Sequence, residues 1–111
     1  MRILNKVVGA AVLLGCVGAG EAEVSQTQKG HAFIRENCAS CHAVEMTGES
    51  PNDKAPPFRT LHLKYPVENL EEALAEGIST GHGDMPEFKL HPAQIGEVIA
   101  YLKSLEPAAA R

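Results

Sequence analysis

Apolar positions along the chain change period from one segment to the next. Residues 7–17 are almost unbroken apolar sequence, preceded by Arg2 and Lys6 and followed by the small residues of Gly20-Glu21-Ala22. A positive start, a short apolar stretch and a small-residue site in that order predict a secretory signal peptide over residues 1–22. The mature domain is then residues 23–111. Residues 24–37 read as a first helix, with Val24 at its start and Ala32, Phe33 and Ile34 as its apolar content. In residues 43–66 the pattern fails. Thr47-Gly48-Glu49-Ser50-Pro51-Asn52-Asp53 and Ala55-Pro56-Pro57 rule out a continuous helix or a central strand. Helical spacing returns at Leu70, Ala73 and Leu74, which predicts a second helix over residues 67–76 with Gly77 placed to end it. After a turn-rich loop over residues 79–86, Pro92 opens the clearest helix, with Ile95, Val98, Ile99 and Leu102 on one face and Pro107 beyond its end. Residues 108–111 read as a loose tail. No strand pair and no internal repeat is visible, so the fold class is all-α with long loops.

With 111 residues there is room for one domain. The apolar run at the start is about half of the roughly 20 residues that span a bilayer, so a permanent transmembrane anchor is not expected. Leu13-Leu14-Gly15-Cys16 resembles a bacterial lipobox, which makes an acylated Cys16 the rival to simple cleavage. Removing residues 1–22 takes away Arg2, Lys6 and Glu21, leaving 8 basic and 13 acidic residues and a formal charge of −5. An acidic chain repels phosphates, and nucleic acid is excluded as a partner. The mature domain has only Phe33, Phe58, Tyr65, Phe88 and Tyr101 as aromatics. A core that small calls for a disulfide framework, a metal or a cofactor. A bridge between Cys38 and Cys41 would close too short a loop to help much, and a long irregular segment inside a compact domain makes sense if it wraps something large.

Cys38-Ala39-Ser40-Cys41-His42 has the C-x-x-C-H pattern of covalent c-type haem attachment. Two cysteines three positions apart on a helical turn can each bond one of two neighbouring vinyl groups, and the following His42 falls beneath the iron. The same residues admit a thioredoxin-like pair, which needs a preceding strand; structural zinc, with His82 as a fourth ligand; or a plain exported disulfide. For the second axial position the candidates are Met46, Met85, His62, His82 and His91. Met46 is four residues past His42, too close to reach the opposite face of a porphyrin. Met85 lies 43 residues on, long enough to enclose the ring, between Gly81 and Gly83 on one side and Pro86 on the other. His82 is its rival in the same loop, and His62 and His91 are expected at the surface. A neutral His42 ring also needs an acceptor for its other nitrogen, expected to be a carbonyl within residues 53–57.

Together these residues resemble the class I, mitochondrial-type bacterial monohaem cytochromes c, over most of residues 27–105. Gly30, Phe33 and Tyr101 match the family's contact between first and last helix. Cys38, Cys41 and His42 match its haem motif, Pro56 or Pro57 its loop proline, and Met85 its distal ligand. The resemblance implies three main helices and long loops wrapped around one covalent, thioether-linked haem c, with iron held by His42 and Met85. It also implies a periplasmic one-electron carrier, a monomer and not an enzyme, that meets redox proteins of a respiratory or periplasmic chain and touches membrane only indirectly or through an acylated Cys16. The lysine rings of mitochondrial members are missing, so partner identity does not carry over. The alternative is a haem subunit of a respiratory dehydrogenase or oxidase, lipid-anchored where Cys16 is acylated. A third possibility, a ligand-binding or peroxidatic haem protein, would require an open iron site.

Overall fold

A computed structural model describes residues 9–15, 24–77 and 84–110. Cys16, residues 20–22 and His82 lie outside the described residues, so the cleavage, acylation and His82 expectations are not addressed by it. Residues 9–15 are exposed and non-helical, and among the described residues no helix is long and apolar enough to cross a membrane.

Three α-helices form: α1 (Gln26–Asn37), α2 (Leu70–Glu76) and α3 (Pro92–Ser104). No strand occurs among the described residues. Helix α1 starts at a reciprocal cap. Ser25 Oγ accepts from the Gln28 N–H at 3.1 Å, and the Gln28 side chain accepts from the Ser25 N–H at 2.9 Å. That pairing satisfies two backbone donors that the first turn leaves without partners. Helix α3 starts with His91 at the cap position and Pro92 in its first turn; His91 Nδ1 accepts a long 3.4 Å bond from the Gln94 N–H. Helix α2 grows out of a 3₁₀ turn, Val67–Asn69, and stops at Gly77, whose φ of 99° favours glycine.

Helices α1 and α3 cross at Gly30. A Cβ at that position would fall inside the van der Waals envelope of the Glu97 carbonyl and lie 3.1 Å from Tyr101 Cβ. The core lies beneath the crossing, where Ile34 of α1 and Val67 are completely buried against Ile95, Val98, Ile99 and Leu102 of α3. The expected aromatic of the crossing, Phe33, is only half-buried and turns its ring edge-on to Phe88 at 6.4 Å. Ile34, one residue on, supplies the deeply buried contact. The loop after α2 returns to it through Leu90 N–H, which donates to Leu74 O at 2.8 Å.

Two segments are more ordered than their sequence suggests. Phe58–Leu63 forms a 3₁₀ turn inside the region expected to be irregular, with Thr60 Oγ1 donating to Pro57 O at 2.7 Å. Helix-breaking residues end at Pro57, and nothing from Phe58 to Tyr65 opposes a turn. Ala108–Ala110 makes another, closed by Ala110 N–H on Pro107 O, where a loose tail was expected.

Candidate functional site

The haem-type motif is a continuation of α1. Cys38 N–H still donates to Ile34 O at 2.8 Å, and the N–H groups of Cys41 and His42 both donate to Cys38 O, at 3.2 and 3.0 Å. This extra turn directs both thiols and the imidazole towards one cleft of about 440 Å3. Cys38, Cys41, His42 and Met85 all line it, with Ala55, Pro56, Pro86 and Phe88 among its apolar walls. Of the other axial candidates, Met46 is 59% exposed and lies outside the cleft. His91 is occupied as a helix cap, and His62 sits half-buried in the 3₁₀ turn.

His42 is held on two sides. Its Nδ1–H donates to Pro56 O at 2.8 Å, within the stretch expected to provide the acceptor, which leaves Nε2 for a ligand. The Phe58 ring packs against the imidazole at 4.6 Å between centroids, tilted by 38°. Proline suits the acceptor position because it has a carbonyl to offer and no N–H to satisfy. Phe58 N–H ties this strand back to Ala43 O at 2.9 Å, and Asn52 N–H binds Cys41 O at 3.0 Å. Neither Phe58 nor Asn52 could be singled out from the sequence, since both act through contacts made only in the folded chain.

The two sulfurs are unpaired. Burial, and then the neighbouring Cys41, push the Cys38 thiol up to about 11, so at neutral pH it stays protonated. A thioredoxin-like arrangement is not supported, because α1 and not a strand precedes the motif. Among the described residues no three His, Cys, Asp or Glu side chains are grouped to hold a metal ion.

Haem fits the residues present. The cleft lies within the roughly 300–1,000 Å3 range of cofactor pockets. It offers two free thiols, an oriented imidazole, a thioether and apolar walls. Arg59, next in sequence to Phe58, carries a buried Nη1 with no hydrogen-bond partner among the described residues. A buried guanidinium nitrogen left unpaired is costly, but Arg59 is not among the residues that line the cleft.

A small all-α chain folded around such a cleft defines a class: a carrier of covalently held haem. Comparison with known proteins gives the same class. The family model for cytochrome c matches residues 27–106. Cytochrome c6 from Picosynechococcus sp. is 35% identical over 79 residues, covering 66% of this chain and 68% of that protein. No solved structure gives a significant match. The chain belongs to the cytochrome c family and is a class I c-type cytochrome. Its cofactor is covalently bound haem c and its work is haem-based electron transfer.

Proposed function

We propose that the chain is a one-electron shuttle with a single haem c, linked as thioethers through Cys38 and Cys41, and with His42 and Met85 as axial ligands. What supports the reading is that these four side chains, far apart in sequence at Met85, converge on one cleft while His42 Nδ1 is already engaged by Pro56. When bound, the haem supplies an iron that alternates between Fe(III) and Fe(II). The chain's own residues supply the rest. Pro56 and Phe58 hold the His42 imidazole in one tautomer and orientation. Met85, a soft neutral ligand, favours the reduced ion and raises the potential relative to harder ligand pairs. Phe88, Pro56 and Pro86 exclude water from the cleft. No residue is required to act as acid, base or nucleophile, so the chain is not an enzyme. It acts in the periplasm after losing residues 1–22, as a monomer, in brief contacts with redox proteins of a respiratory or periplasmic chain.

Intact mass of the exported protein, taken with a reduced-minus-oxidised spectrum, tests this reading. The expected mass is that of residues 23–111 plus one haem. A Cys38→Ala/Cys41→Ala double variant should lose covalent haem altogether. Colourless parent protein, or a double variant that still holds haem covalently, would refute the reading; an added acyl mass would place the mature start at Cys16 instead.

A further inference from the structure

Three polar side chains, His31 of α1, Tyr101 of α3 and Glu45, close around the residues that follow His42. The His31 ring of α1 stacks on the Tyr101 ring of α3, with centroids 4.5 Å apart and planes 10° from parallel. Tyr101 is buried, and its hydroxyl donates to Val44 O at 2.6 Å. The same hydroxyl lies 3.3 Å from Glu45 Oε2, while Glu45 Oε1 meets His31 Nε2 at 2.7 Å. In the same segment, Phe58 N–H donates to Ala43 O and the His42 ring to Pro56 O. The chain from His42 to Glu45 is therefore fixed at every residue between two supports. A tyrosine that only filled the core could hydrogen-bond any nearby acceptor; this one grips a backbone carbonyl two residues from His42.

We propose that Tyr101 is a positioning residue for His42: its hydroxyl fixes the Val44 carbonyl and thereby the hydrogen bond between His42 Nδ1 and Pro56. The inference rests on His42 being an axial ligand. An imidazole that donates firmly through Nδ1 is a more basic ligand through its other nitrogen, and a more basic ligand favours the oxidised ion. Loosening the segment from the Tyr101 side should weaken that bond and raise the potential.

The experiment uses the haem-loaded protein, its Tyr101→Phe variant, and Ser104→Ala as a control. Ser104 Oγ also gives one hydrogen bond on α3, to Tyr101 O at 2.5 Å, but touches nothing near His42. Tyr101→Phe should raise the potential, shift the His42 ring resonances and speed amide exchange at residues 43–45. Ser104→Ala should leave all three at parental values. Incorporating 3-fluorotyrosine at position 101 keeps the hydroxyl and strengthens it as a donor, so it should move the potential the opposite way even if the Phe variant is too unstable to purify. Parental potential and His42 resonances in both Tyr101 variants would overturn the proposal, as would equal shifts in Ser104→Ala. Parent protein without covalent haem would refute the functional reading instead, and the exchange rates at residues 43–45 would still decide whether Tyr101 clamps that segment.

Discussion

At His42 the chain solves an orientation problem with one carbonyl. A neutral imidazole can present either nitrogen, and the 2.8 Å bond from Nδ1 to Pro56 O selects which one is left over. Met85 poses a different question, because a methionine has three rotatable bonds and often serves only as filler. Met85 lines the cleft, and its role as ligand can be separated from a packing role. Met85→Ala should retain covalent haem, since the thioethers are untouched, but lower the potential and let carbon monoxide bind the reduced form. Redox titration and a carbon monoxide difference spectrum read both effects; parental values in both would remove Met85 from the iron. Residues with local chemistry were legible in the sequence. Cys38, Cys41 and His42 are adjacent, and a proline-rich acceptor stretch could be named within five residues. Phe58 and Glu45 were not legible, because their significance depends on partners brought near only by folding.

Among the elements, the crossing of α1 and α3 carries the fold, and Gly30 permits it. Replacing a mid-helix glycine by alanine gains roughly 1 kcal/mol of helix propensity. At Gly30 a methyl group meets the Glu97 carbonyl, which is backbone and cannot step aside. Overpacking of that kind costs about 1–3 kcal/mol, and the clash outweighs the propensity. Gly30→Ala should therefore lower the urea midpoint of the haem-loaded protein. Gly96→Ala provides the contrast, since its added carbon meets only the Gln26 side-chain amide at 2.8 Å, the end of a flexible chain that can swing away. That variant should be neutral or slightly more stable. Equal destabilisation in both would mean that close backbone approach is not what Gly30 provides. The helices themselves were readable: Ile95, Val98, Ile99 and Leu102 are all buried as their spacing requires. The expected start of α1, Val24, lies just ahead of the Ser25–Gln28 cap that sets it; that pair, three residues apart, is in the sequence but played no part in the expectation. The division of labour between Phe33 and Ile34 was not readable, because adjacent apolar residues on one helix give no sign of which turns inward.

For the molecule as a whole, the decisive quantity is how little apolar packing the chain achieves by itself. Among the described residues only Ile34 and Val67 of the larger side chains are completely buried, and a cleft of about 440 Å3 opens beside Cys38, Cys41 and His42. Domains below roughly 80 residues seldom reach useful stability from the core alone, and residues 27–106, which match the family, span hardly more than that. Haem would bring apolar surface to every wall of the cleft at once. Attached covalently, it would do so without the concentration dependence of a dissociable ligand. The Pro-rich segment, which has few long-range ties beyond those at Ala43, Cys41 and His42, should depend on it most. A Cys38→Ala/Cys41→Ala chain freed of haem is thus expected to lose its near-ultraviolet circular dichroism, to keep only part of its helical signal, and to unfold in urea without a sharp transition. Hydrogen exchange should show residual protection confined to α1 and α3, the pair joined at Gly30, and to residues 43–45 that Tyr101 ties to them, and none across residues 46–66. A haem-free chain that unfolded cooperatively, with protection retained in that segment, would show that the loops hold their shape unaided and that the cleft is preformed instead of built around its occupant.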